Sequence, residues 1–205
     1  MLDARVLRVC RALLALAALA AIAYDVSAGP GVTDADYFSY FTVLSNLFAA
    51  AMLLHGALRP ADEHSRTVEL LRGASVVYIL TTGIVYLFLL SGHAPTYPWV
   101  NAILHYLMPV AVTLDWLLDP PRVHLERVRT VVLWIVFPVL YIVYTLARGA
   151  IVDWYPYFFV NPHRSGGYLR VAGSTVAVGI GIIALIVATT WAGNRRYGAA
   201  GGSER

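Results

Sequence analysis

Cysteine, lysine and charge are nearly missing from this sequence. Cys10 is the single cysteine in 205 residues, which excludes a disulfide framework and a thiolate metal site. Charged residues make up 13% of the chain against 59% hydrophobic ones, roughly half the charge of a soluble domain. Lysine is absent, so all fifteen basic residues are arginine; with the Ala and Gly richness, this is the composition of a GC-rich bacterial genome. No Gly-x-Ser-x-Gly elbow is present, nor a His-Glu-x-x-His element or a phosphate-binding glycine loop. His55, His64, His93, His124 and His163 are scattered over different loops and sides, which argues against a multi-histidine metal centre. The expectation is therefore a protein with no metal and no cofactor. There is no internal repeat. The net charge of +3 does not point to nucleic acid, because the arginines sit at helix ends and in short loops.

The apolar residues arrive in blocks of the length that spans a bilayer, about 20 residues each. Six blocks fit: 9–27, 37–57, 70–91, 99–118, 130–147 and 169–191. Between them lie the residues that end helices, such as Ala28-Gly29-Pro30, Arg59-Pro60 and Asp119-Pro120-Pro121. The expected fold is all-α, a polytopic bundle of six transmembrane helices over 1–197, with a Gly-rich, disordered tail at 198–205. Arg5, Arg8 and Arg11 before an apolar run, followed by Val26-Ser27-Ala28, resemble a secretory leader. The run is long enough to span and contains Asp25 beside the cleavage-like site, so it reads as a retained first helix.

Orientation follows from arginine. With six spans, the termini and the second and fourth loops share one side. That side holds Arg5, Arg8, Arg11, Arg59, Arg66, Arg72, Arg122, Arg127, Arg129, Arg195, Arg196 and Arg205, against Arg148, Arg164 and Arg170 on the other. The positive-inside rule then puts both termini in the cytoplasm, in the inner membrane of a bacterium.

Ionisable and polar side chains are costly in lipid and are kept where they face the bundle interior or a wet cavity. Asp25 falls about one turn below the outer end of the first helix. Thr42 lies roughly 7 Å and His105 roughly 9 Å below the outer surface, counted at 1.5 Å per residue. Arg148 ends the fifth helix on that side. Four helices thus bring polar groups to one depth in the outer leaflet. Ser39, Thr42 and Asn46 share one face of the second helix by spacing, with Ser45 adjoining, and Asn101 and His105 lie one turn apart on the fourth. Asp115 is some 15 Å from His105 along its helix and reads as a snorkelling or capping residue. Pro109 and Pro138 read as kinks that shape a cavity. Tyr97, Trp99, Trp154, Tyr155 and Tyr157 fit the outer aromatic belt.

A hydroxyl and an imidazole are the minimal set for nucleophilic acyl transfer, since neutral histidine can take the hydroxyl proton near pH 7. Thr42 would attack an ester carbonyl with His105 as base. Asn46, Asn101 and Arg148 are candidate oxyanion donors, and Asp25 could orient His105 as the acid of a triad does. The bland alternative is that Thr42 merely back-bonds to the Phe38 carbonyl, and that the other polar residues are helix-to-helix bonds of a non-catalytic scaffold. A small proton-coupled transporter is a third possibility, with Asp25, His105, Arg148 and Asp115 as its relay.

Three segments carry a resemblance: Tyr40-Phe41-Thr42-Val43-Leu44-Ser45-Asn46, Trp99-Val100-Asn101-Ala102-Ile103-Leu104-His105, and Trp154-Tyr155-Pro156-Tyr157-Phe158. In order and spacing the chain resembles the androgen-induced-gene family of integral membrane proteins, which includes the androgen-dependent regulator of tissue factor pathway inhibitor. The likeness runs from the first helix to the sixth, and Trp-x-Asn-x-x-x-His followed by a proline is its most specific part. It implies a membrane hydrolase with a threonine nucleophile matching Thr42 and a histidine matching His105. Animal members hydrolyse fatty acid esters of hydroxy fatty acids, so the implied partner is a fatty-acyl ester in the membrane. The chain departs from those members in the position of the proline after His105 and in the polar residues Ser45 and Asn46 that follow Thr42.

Overall fold

A computed structural model of the protein describes residues 3–29, 31–59, 65–92 and 95–201. Among the described residues six helices are long and apolar enough to cross a membrane: α1 Ala4–Ser27, α2 Phe41–Leu58, α3 Arg66–Leu90, α4 Pro98–Leu118, α5 Arg127–Val152 and α6 Tyr168–Gly201. Their apolar windows have mean hydropathies of 1.3 to 2.4, and the described residues contain no strand. The protein is an all-α, multi-pass membrane bundle. Helix α6 runs on through Gly201, so the expected disordered tail at 198–205 is helical at its start; 202–205 lie outside the described residues.

Local chemistry sets the helix starts. Asp3, Ser65 and Thr33 each cap the helix that follows by accepting a backbone N–H that the helix leaves unpaired. Thr33 starts a single turn, Asp34–Tyr37, which ends before Tyr40 adopts an extended conformation and α2 begins at Phe41. The second apolar block is therefore two elements. Ser39 precedes α2 and does not share a helical face with Thr42 and Asn46 as their spacing had predicted.

Helix α3 is central. Its window is 61% buried against 17% for α6, and it packs on α2, α4 and α6, with α1 against α2 and α4. The large exposed side chains, Leu13, Val110, Leu140 and Ile180 among them, form the surface such a bundle turns to lipid. Helix α5 packs closely on α6 and meets α2 and α3 mainly through aromatic rings. Trp134 lies directly over Gly73, where any Cβ would collide with the indole, and the Tyr78 phenol donates to the Trp134 carbonyl at 2.9 Å. Phe137 packs on Phe41 and Tyr78 with ring centroids 5.5 and 5.0 Å apart. These rings hold α5 off from α2 and α3 and leave a cavity of about 160 Å³.

At the end of the bundle that carries the chain termini, Arg11 from α1 pairs with Asp115 of α4 at 2.5 Å and with Asp119 at 2.6 Å. Arg72 from α3 pairs with Glu69 at 3.0 Å and reaches Asp115 at 3.4 Å. Asp115 is thus the hub of a buried ion network and not the snorkelling or capping residue the sequence had suggested. The reason is tertiary: the arginines that neutralise it come from two other helices.

Candidate active site

Pro109 shapes the local backbone of α4. It has no N–H, and its ring crowds the carbonyl four residues back. The ladder gives way just before it, in a π-helical turn over Ile103–Leu107 where Met108 N–H bonds the Ile103 carbonyl. The carbonyls of Leu104 and His105 then lose their usual intrahelical donors. Asn46 of α2 fills one gap, since its Nδ2 donates to the Leu104 carbonyl at 3.2 Å and to the Thr42 carbonyl at 2.9 Å. Gly83 of α3 allows the close approach at the other: a Cβ there would lie 2.9 Å from Pro109 Cγ and 3.2 Å from the His105 carbonyl oxygen. π-Turns of this kind often mark functional positions.

This frame brings Thr42 Oγ1 to 3.3 Å from Nε2 of His105. The second neighbour of the hydroxyl is the Tyr157 phenol at 3.4 Å, which also accepts the Thr42 backbone N–H at 3.3 Å. The bland expectation of a bond from Thr42 to the Phe38 carbonyl does not hold, because Phe38 lies before the helix and the hydroxyl faces His105 and Tyr157. Thr42 is the second residue of α2, so its Oγ1 sits at the positive end of an 18-residue helix dipole. Ser45 Oγ donates to the Thr42 carbonyl at 3.1 Å and lies 2.7 Å from Thr82 Oγ1, which ties the first turn of α2 to α3.

On the far side of His105, Nδ1 is buried. It makes no hydrogen bond to any described residue. The 160 Å³ cavity opens on the other side of the hydroxyl. Thr42, Tyr141 and Tyr157 line it together with apolar side chains including Val85, Ile135, Pro138 and Ile182. Thr42 therefore stands between an imidazole and an apolar hole.

Of the other sequence candidates, Asn46 holds backbone in place with its amide on two carbonyls, so it is no free oxyanion donor. Asn101 donates to the Tyr86 phenol at 2.9 Å. Ser39 bonds the Ala35 carbonyl at 2.6 Å and lies 2.9 Å from the Tyr144 phenol. Asp25 lies near Tyr37, and the hydrogen bond of His105 goes to Thr42 instead. Tyr157 is the participant the sequence reading missed. It had been assigned to the interfacial belt, and a residue between two helices carries no periodicity that would aim it at Thr42. Burial pushes its phenol up from the usual tyrosine value, although the bonds with Thr42 act the other way, so it is a neutral hydroxyl at pH 7.

Arg148 pairs with Asp36 at 2.6 Å and lies over the Trp154 ring, 5.2 Å from its centroid. That latch fixes the segment after α5 beside Tyr40, whose ring meets Trp154 and Tyr157 edge-on, both at 5.6 Å. Burial disfavours the Asp36 carboxylate, but bonds from Arg148 and Thr33 and the arginine charge outweigh it and hold Asp36 below the usual aspartate range. A depressed folded value contributes stability that is complete above the unfolded value near 3.9 and lost as pH falls through the folded one. Asp36→Asn is therefore expected to lower Tm at pH 7, with the difference from wild type shrinking towards pH 3. A difference that stays constant between pH 7 and pH 3 would remove Asp36 from the latch.

Fold and site together define a multi-pass helical membrane protein with a hydroxyl–imidazole pair beside an apolar cavity. No protein-family model, no curated protein and no solved structure matches the chain. Among the described residues no group of three or more His, Cys, Asp or Glu could hold a metal ion.

Proposed function

We propose that this protein is a membrane-embedded hydrolase of fatty-acyl esters, a bacterial protein of the androgen-induced-gene type acting in the outer leaflet of the inner membrane, with both termini in the cytoplasm. The observation that carries the proposal is the 3.3 Å contact between Thr42 Oγ1 and His105 Nε2, made between side chains 63 positions apart and in the segments that carry the family resemblance. The apolar cavity against Thr42 supports an acyl chain as the group bound there.

In the first step Thr42 Oγ1 attacks the ester carbonyl carbon while its proton passes to His105 Nε2. The tetrahedral oxyanion faces the Tyr157 hydroxyl and the start of α2, both able to stabilise negative charge. The carbon–oxygen bond to the alcohol breaks, and the alcohol leaves with the proton from His105. Water then attacks the Thr42 ester, again through His105, which releases the acid and restores the threonine.

The test is labelling of the purified protein with a fluorophosphonate probe directed at activated hydroxyls. Wild type is expected to label at Thr42, and Thr42→Ala is expected not to label. Equal labelling of both would show a reactive group elsewhere, and a folded wild type that does not label would turn the argument towards a scaffold.

A further inference from the structure

Among the described residues no carboxylate pairs with His105, as one does in a catalytic triad to favour the transient imidazolium. The group lying against the ring is Tyr86 of α3, with ring centroids 4.2 Å apart and planes tilted by 30°. That separation is well inside the roughly 6 Å within which a cation is drawn to an aromatic face. Tyr86 is buried, at 8% exposure, and its phenol oxygen accepts the bond from Asn101, one turn before His105 on α4.

Two helices deform to make this contact. Tyr86 opens a π-helical turn over Tyr86–Leu90, and His105 is the middle residue of the π-turn over Ile103–Leu107. Gly83, one turn before Tyr86, lets the same two helices come close, since a Cβ there would lie 3.2 Å from the His105 carbonyl oxygen. The groups around the imidazole are Thr42 from α2, Tyr157 beyond it from the outer loop, Tyr86 from α3 and Asn101 from α4.

We propose that Tyr86 is the positioning residue for His105, its ring face taking the part that a carboxylate plays in a triad. The assignment rests on the hydrolase reading. Its physical advantage lies in the solvent. A carboxylate beside His105 would be a permanent charge at membrane depth, which is expensive. An aromatic face attracts the imidazole when it carries a proton and costs little when it does not. The same stack limits rotation of the imidazole and keeps Nε2 on Thr42, and the Asn101 bond keeps the stack in register.

The test uses the full-length protein in nanodiscs with p-nitrophenyl butyrate as the probe ester. Position 86 carries phenylalanine, then mono-, di- and trifluorinated phenylalanine, which drain the ring face stepwise with little change of shape. Tyr86→Phe, which keeps the ring face but loses the bond from Asn101, is the reference point of the series. Across the fluorine series kcat should then fall stepwise, about fivefold to thirtyfold in all, with KM unchanged. A ring that only fills space predicts a flat series, and that result overturns the assignment. So does a Tyr86→Leu variant that folds and turns over at the wild-type rate. A folded wild type without turnover overturns the hydrolase reading and this assignment with it, whereas turnover with a flat series overturns this one alone.

Discussion

Replacing His105 with alanine or glutamine is expected to slow ester turnover by about a thousandfold or more. A positioned general base supplies roughly a hundredfold to ten-thousandfold, and here the same ring serves both halves of the reaction. Glutamine is the sharper variant, because it retains a polar group near the Nε2 position and removes only the ability to take a proton. Thr42→Val, an almost isosteric change, should be as damaging, while Thr42→Ser keeps a hydroxyl and should retain most of the rate. The decisive measurement is the double variant. Residues that act as one unit are strongly non-additive, so Thr42→Val with His105→Gln should be no slower than either change alone. If the two losses multiply, the residues act independently and the proton transfer across their 3.3 Å contact is not the catalytic step.

How far the sequence leads can be judged residue by residue. The spans were legible because lipid length and apolar content set them. The meeting of Thr42 and His105 was legible because the rise per residue fixes depth and a helical bundle brings equal depths together. Depth does not give azimuth, so Asp25 and Arg148, at the same level, were grouped with His105 although Arg148 pairs with Asp36. The π-turns were invisible, since Pro109 announced a distortion without its form. That form is what frees the Leu104 carbonyl for Asn46 and sets Tyr86 over His105. Tyr157 could not be assigned because non-helical backbone has no period to read. Arg11 was counted as one of the charges that set orientation, and nothing local to α1 reveals that its partner is 104 positions away.

That partner separates catalysis from transport. Asp115→Ala is expected to destabilise the folded protein by about 3 kcal/mol, towards the lower part of the 3–5 kcal/mol typical for breaking a buried pair. Arg11 and Arg72 lose the carboxylate that holds them at 2.5 and 3.4 Å, but Asp119 stays within 2.6 and 3.6 Å of them and limits the damage. The cost arises because two guanidiniums, with side chains 9% exposed, keep their charge while one of the three carboxylates that pair with them, Glu69, Asp115 and Asp119, goes. Unfolding in detergent, followed by loss of helix on titration with SDS, would measure it; a change below about 1 kcal/mol would mean that the network contributes little. The functional consequence is the opposite of the structural one. Asp115 lies ten residues from His105, some 15 Å along α4, so Asp115→Asn is expected to weaken the fold yet leave fluorophosphonate labelling of the surviving folded protein intact. A proton-coupled carrier makes the reverse demand, because its buried acid must titrate for the cycle to turn. If Asp115→Asn abolished a pH-driven flux in liposomes while the protein remained fully stable, the ion network would be a relay, and the site at Thr42 would need another explanation.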